Sequence, residues 1–151
     1  MIVLDTNVLS ALMRARPDPS VVAWLDTQPV QSVWITAITL FEARFGLALL
    51  PAGKRRISLE EQLSRLLRED LEGRILDFDE TSAREAAALA AGRQKSGRPV
   101  DMRDTFIAGI VLARKAALAT GNTRHFRDFK VAVINPWDTA SKSIKNNNLP
   151  K

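Results

Sequence analysis

Met1-Ile2-Val3-Leu4-Asp5-Thr6-Asn7-Val8-Leu9 opens the chain with a short apolar run that stops abruptly on an aspartate and two small polar residues. An unbroken apolar run containing two β-branched residues suits a strand covered on both faces, as in a parallel sheet. Val8, Leu9, Leu12 and Met13 then recur at helical spacing, so the strand passes straight into a helix. A carboxylate therefore arrives at the carboxyl end of a buried strand, where open α/β sheets bind their ligands. Two readings of Asp5 stand at this point: a ligand-facing carboxylate, or a cap for the helix that follows, a task that aspartate, threonine and asparagine all perform.

The same alternation continues outward. Arg16-Pro17-Asp18-Pro19-Ser20 interrupts the first helix, and Val21, Val22, Trp24 and Leu25 mark a second one that Pro29 ends. Val33-Trp34-Ile35-Thr36 reads as the second strand. Leu40 to Leu49 follows as an apolar helix closed by Pro51-Ala52-Gly53. Leu59, Leu63, Leu66 and Leu67 line one face of the next helix, opposite Glu60, Glu61, Arg65, Arg68 and Glu69, and Gly73 ends it. Ile75-Leu76-Asp77-Phe78 is a third strand. The helix after it carries Ala83, Ala86, Ala87 and Ala90, a small-residue face that permits close approach to a neighbour. A further helix starts near Asp101 or Arg103, and Leu118-Ala119-Thr120 and Val131-Ala132-Val133-Ile134 complete five strands. Strands alternating with helices predict an α/β fold, a mainly parallel five-stranded sheet with helices on both faces. Residues 1–138 form the expected domain, and 139–151, with Asn146-Asn147-Asn148, read as a flexible polar tail.

Composition narrows the function. The chain has no cysteine, which excludes disulfides and thiolate metal sites. With no leader pattern and no apolar run long enough to span a membrane, a cytoplasmic location is expected. The net charge is +5, but Lys142, Lys145 and Lys151 lie in the tail; without them 19 bases face 17 acids. Basicity is instead local to Arg93–Lys130, where nine bases face three acids, either a phosphate-binding surface or a solvated face.

In a parallel sheet the strand ends share one rim, and four polar residues fall near it: Asp5, Glu42, Asp104 and Asn122. Oxygen donors without cysteine or clustered histidine suit a hard divalent cation, Mg2+ or Mn2+. Such an ion lowers the pKa of a bound water and offsets charge on a phosphodiester. Each residue also has a plain structural reading. Thr39 and Glu42 have capping-box spacing; Asp101 and Asp104 complement a helix N-terminus; Asn122 suits a turn. The lone His125 reads as a surface or core-edge residue, and Trp24, Trp34 and Trp137 as core or core-edge residues.

Ile2-Val3-Leu4-Asp5-Thr6-Asn7-Val8, Glu42-Ala43-Arg44-Phe45-Gly46, Asp104-Thr105-Phe106-Ile107-Ala108 and Ala119-Thr120-Gly121-Asn122 stand in an order and spacing that resembles the PIN-domain ribonucleases. The small bacterial members of that family are VapC-like toxins of type II toxin–antitoxin pairs. Val133-Ile134-Asn135-Pro136-Trp137 resembles the family's closing strand, so the likeness covers Met1 to about Trp137. It implies a PIN-like three-layer sandwich in which Asp5, Glu42 and Asp104 hold the metal, Asn122 takes the fourth catalytic position, and Thr6, Asn7 and Thr120 support the site. It also implies an RNA substrate, a homodimer and a small DNA-binding antitoxin as partner, with the apolar third helix or the Leu59/Leu63/Leu66/Leu67 face serving one of these contacts. The sequence departs from the pattern twice: Asn122 replaces a frequent aspartate, and Gly121 an arginine frequent in the toxin subgroup. Arg44, Arg103 and Arg124 are then the candidates for gripping phosphate. The leading expectation is a metal-dependent endoribonuclease leaving a 5′-phosphate and a 3′-hydroxyl. Its rivals are a catalytically silent RNA-binding or scaffold domain and, more remotely, a phosphatase with Asp5 as nucleophile, for which Asn7 stands where a second aspartate is usual.

Overall fold

The opening run forms β1 (Ile2–Leu4), the middle strand of the sheet. In the computed structural model, which describes residues 1–138, β1 pairs in parallel with β2 (Val33–Thr36) on one side and β4 (Ala117–Ala119) on the other. Beyond them lie β3 (Ile75–Leu76) and β5 (Ala132–Ile134), giving the order β3-β2-β1-β4-β5 with every pairing parallel. The connection reverses direction between β1 and β4, and such a switch point opens a crevice at the carboxyl ends of the strands. Asp5 stands at that crevice, its N–H bonded to the Ala119 carbonyl at 2.9 Å.

Side chains alternate across a strand, and β1 divides its bulk between the two faces. Leu4 packs with Val8, Leu9, Val21, Ile35 and Leu63; Val3 packs on the opposite side with Ile107, Ile110, Leu118, Phe126 and Phe129. Helices α1 (Thr6–Met13), α2 (Pro19–Asp26), α3 (Ala37–Leu49) and α4 (Lys54–Arg65) contribute to the first layer. The second is built by α6 (Met102–Ala113) and α7 (Thr123–Phe126), with α5 (Glu80–Lys95) packed on α6. Short polar side chains start the helices: Asp5, Asp18, Thr36, Asp79 and Asp101 each accept an N–H from the first turn. The helix expected to run on to Gly73 instead passes after Arg65 into a π turn, Leu66–Asp70. Gly73, at φ +73°, closes it with its N–H on the Leu67 carbonyl. Strand three is shorter than expected, ending at Leu76. The tail expected from residue 139 onwards lies outside the described residues. Among the described residues no helix is long and apolar enough to cross a membrane.

The leucine face of α4 is consumed internally, since Leu63 and Leu66 are buried and Leu59 and Leu67 pack against them. The surplus apolar surface lies on α3, where Phe41, Phe45 and Leu49 are 56%, 47% and 70% exposed along one stripe. The two phenyl rings stack with centroids 5.8 Å apart.

The segment that carries α7 is pinned by Arg93 of α5. Its guanidinium donates to both carboxylate oxygens of Asp128 at 2.9 and 2.6 Å, to the Pro99 carbonyl at 2.8 Å and to the His125 carbonyl at 3.4 Å, above the Phe129 ring. Hydrogen bonds from Arg93 first, and from Arg98, hold the Asp128 carboxyl at about 2, below its ordinary 3.8. A carboxylate with a depressed folded-state pKa adds stability that is complete above 3.8 and is lost as pH falls through the folded value. Arg93→Met keeps bulk on Phe129 but removes the larger of two arginine pairs to Asp128, leaving that with Arg98, and is expected to cost about 1 kcal/mol at neutral pH. Urea titrations of the two proteins should show that gap closing as pH falls from 4 towards 2; a gap constant over this range would refute the pairing as its source.

Candidate active site

Asp5 is the most buried of the rim carboxylates, 4% exposed, and every oxygen it has is bonded. Oδ1 accepts the Thr6 N–H at 2.8 Å, and Oδ2 accepts the Asn7 amide at 3.0 Å and the Thr120 hydroxyl at 2.8 Å. The cap and the rim carboxylate are thus the same group, so the two readings of Asp5 are compatible. Thr120 uses its single hydroxyl proton on Asp5 and accepts from Asn7 at 3.1 Å and from the Asn122 N–H at 3.0 Å, the full capacity of a hydroxyl. Asn7 completes the tie by accepting the Gly121 N–H at 2.9 Å, which binds the start of α1 to the end of β4.

Glu42 does not close a capping box. Thr36, the last residue of β2, is the N-cap of α3, its hydroxyl accepting the Thr39 N–H at 3.0 Å. The helix begins three residues earlier than the Thr39 spacing suggested, so Glu42 lies inside it and is free to reach the rim. There it accepts the Thr6 hydroxyl at 2.9 Å and stands 3.7 Å from the Arg103 guanidinium. Asp104 occupies the first turn of α6, its N–H capped by Asp101 at 2.9 Å, so Asp101 serves as a helix cap. The Asp104 carboxylate meets the His125 imidazole, Oδ2 to Nδ1, at 3.0 Å.

Electrostatics ties the three acids together. Burial raises all three pKa values, for Asp5 against the hydrogen bonds that favour its ionised form. Glu42 is pushed up further by Asp5 and Asp104, and Asp104 by Asp101 and Asp5. Carboxylates that disfavour one another's charge are a demand for a cation, and an all-oxygen set with no thiolate fits Mg2+ or Mn2+. Among the described residues no three such groups already form a single coordination sphere.

The other expected residues divide. Asn122 reaches the site through its backbone N–H, while its side chain makes no cap bond. Gly121 has a steric explanation: a Cβ there would lie 2.9 Å from the indole ring of Trp137, itself fixed by an Nε1–H bond to Asp18 at 3.1 Å. Arg103 borders the pocket and Arg124 lies with His125 on the rim. Arg44 does not join them: two residues from Glu42, it is turned about 200° round α3, and the structure gives it no contact with the acids. Four of the nine bases in Arg93–Lys130 (Arg93, Arg98, Arg103 and Arg114) sit in ion pairs within the chain, which narrows the surface left for phosphate. His125 lies at the surface, as expected, but its contact with Asp104 is the feature of the rim that sequence reading missed. Its only signal is a spacing of three from Asn122, on a helix of four residues that is too short to show periodicity.

Residues 2–131 match the family described as PIN domain. The VapC ribonuclease Y4jK of Sinorhizobium fredii is 42% identical over 140 residues, spanning 93% of this chain and 100% of the relative. Toxin FitB of Neisseria gonorrhoeae is 39% identical over 137 residues, 91% of this chain and 99% of that protein. Among solved structures, that of FitAB bound to an IR36 DNA fragment matches with a TM-score of 0.81 at 39% identity, covering 91% of this chain and 96% of the other. With the family pattern running from β1 to the residue before β5, and with relatives aligned over almost their full length, this chain belongs to the PIN domain family.

Proposed function

We propose that this chain is a divalent-metal-dependent endoribonuclease and the toxin of a toxin–antitoxin pair. The observation that carries the chemistry is the convergence of Asp5, Glu42 and Asp104 at the switch point, three carboxylates whose burial raises their pKa values and which crowd one another electrostatically. Asp5, Glu42 and Asp104 hold the ion; Thr6, Asn7 and Thr120 orient the carboxylates of Asp5 and Glu42. When bound, the ion supplies Lewis acidity, making water a nucleophile at neutral pH and offsetting charge on the phosphodiester. Arg124, and Arg103 beside Glu42, offer cations near the acids for substrate phosphate. The RNA substrate and the toxin role are supported by the VapC ribonuclease and toxin FitB relatives. The antitoxin partner is supported by the likeness to FitAB on DNA. An uncharged Asn122 in the fourth position favours a second reading, an RNA-binding domain without cleavage.

Incubation of the purified protein with RNA separates the two. Cleavage in Mg2+ or Mn2+ that stops in EDTA, with 5′-phosphate and 3′-hydroxyl ends, is expected. Cleavage that persists in EDTA would sink the metal mechanism, and metal-independent binding without cleavage would favour the second reading.

A homodimer seated on the exposed stripe of α3 is the second part of the proposal. Phe45→Glu places a charge at the centre of that stripe and is expected to raise the dimer Kd by about 30-fold, the equivalent of about 2 kcal/mol. Sedimentation velocity at micromolar concentration reads this directly. A wild-type monomer, or a dimer indifferent to the substitution, removes α3 as the seat.

A further inference from the structure

We propose that His125 is a positioning residue for Asp104, fixing the carboxylate's rotation so that one oxygen is held for the divalent cation. The inference rests on reading the acidic trio as a cation site.

The trio is supported unequally by the elements around it. Asp5 receives three donors and Glu42 receives the Thr6 hydroxyl, all from the β1–α1 junction and the end of β4. Asp104 lies on a different helix and takes no part in those hydrogen bonds. Among the described residues its carboxylate has one hydrogen-bond partner, the Nδ1 of His125 at 3.0 Å. An ionised carboxylate only accepts, so Nδ1 carries the proton in this contact. The contact engages Oδ2 and leaves Oδ1 without a donor. His125 is thereby to Asp104 what Thr6 is to Glu42. Outer hydrogen-bond partners of metal-ligating carboxylates orient the ligand, and their loss commonly weakens metal binding by about 10–100-fold.

The backbone that carries the imidazole is held in place. The His125 side chain is 57% exposed, yet the backbone beneath it is fixed from three directions. Its N–H bonds the Asn122 carbonyl at 3.0 Å, its carbonyl accepts from Arg93 at 3.4 Å, and the next residue, Phe126, is buried in the core. Arg93 also grips the Pro99 carbonyl, just ahead of the α6 cap. One guanidinium therefore sets both sides of the His125–Asp104 contact, the α7 segment and the approach to α6.

The test is a Mn2+ titration of the metal-free full chain, following free Mn2+ by its paramagnetic resonance signal, which needs no RNA and no turnover. His125→Ala is expected to weaken Mn2+ binding by about tenfold with the melting temperature unchanged, because the side chain removed is exposed. His125→Asn places an N–H donor at the same δ position and is expected to restore binding to within about threefold of wild type. Asp104→Asn tests the underlying reading and should abolish binding. If Asp104→Asn abolishes binding while His125→Ala leaves it intact, the positioning role is wrong and the cation site stands. If His125→Ala and His125→Asn weaken binding equally, the hydrogen bond is not the cause and the proposal falls. Wild-type protein that binds no Mn2+ removes the cation site and the inference together. A His125→Ala defect confined to the KM for RNA, at unchanged Mn2+ affinity, would make His125 a substrate contact instead.

Discussion

Asp104→Asn is expected to abolish RNA cleavage while making the metal-free protein more stable. The loss follows from removing one of three carboxylates that hold the ion, and a fall of at least about 10³-fold, roughly 4 kcal/mol of transition-state stabilisation, is the expected scale. The gain follows from linkage. Burial, then Asp101 and Asp5, raise the folded-state pKa of Asp104 above 3.8. A carboxyl raised on folding contributes stability that is complete below its unfolded pKa and lost as pH rises through the folded value, so at pH 7 the ionised group is a liability in the absence of a cation. The asparagine oxygen still accepts from His125 Nδ1, and the repulsion disappears. In EDTA at pH 7 the variant should therefore melt above wild type, with the advantage vanishing at about pH 3. In millimolar Mn2+ the order should invert, because only wild type gains binding energy from the ion. Asp5→Ala offers no such clean reading. It abandons the Thr6 N–H, the Asn7 amide and the Thr120 hydroxyl inside the fold and removes the α1 cap, at a cost of about 3 kcal/mol. Its loss of activity would be mixed with loss of fold. Cleavage undiminished in both variants would overturn the site, and an Asp104→Asn protein that melts below wild type in EDTA would overturn the electrostatic account.

What the sequence disclosed, and what it hid, follows from the range of the interactions involved. Apolar runs and helical periodicity locate the elements because each reports a local burial pattern, and the five strands and their parallel pairing follow from their alternation with helices. The shared position of Asp5, Glu42 and Asp104 near one rim was legible because a parallel sheet gathers its strand ends, and the helices beside them, there. The start of α3 was misjudged because Thr36 and Thr39 are equally good caps by residue type; only the end of β2 decides between them. Arg44 stands apart from the acids for a helical reason, its place two residues from Glu42 on the same helix. His125 was hidden because its partner is 21 residues away on another helix. The departure at Gly121 became intelligible only when Trp137, 16 positions later in the chain, was found lying over it.

Gly109→Ala should be the most damaging small substitution outside the rim, although helix propensity predicts the reverse. Alanine is favoured over glycine within a helix by about 1 kcal/mol, and Gly109 lies within α6. But the alanine-rich face of α5 brings the two helices so close that a Cβ at 109 would stand 2.6 Å from the Ser82 carbonyl oxygen, 2.8 Å from the Ala86 Cβ and 3.0 Å from the Ala86 nitrogen. Two of these three atoms are backbone and cannot rotate away, so α6 itself must move. Overpacking of this kind costs about 1–3 kcal/mol, and a net loss of about 2 kcal/mol should lower the melting temperature by roughly 4–8 °C. Asp104 rides on the same helix, and a shift of about 1 Å relative to Asp5 is worth on the order of 10²-fold in rate. Cleavage should therefore fall further than stability alone explains. Gly92 in α5 provides the control, since a Cβ there meets nothing within 4 Å. Gly92→Ala should stabilise by up to about 1 kcal/mol without touching activity. Ala86→Gly in the Gly109→Ala background removes the side-chain contact and leaves the backbone ones, so it should recover only part of the loss. Full recovery would mean that the helices are spaced by side chains and that the Ser82 carbonyl can yield; no loss in Gly109→Ala at all would mean that α6 is not held against α5 as tightly as these contacts require.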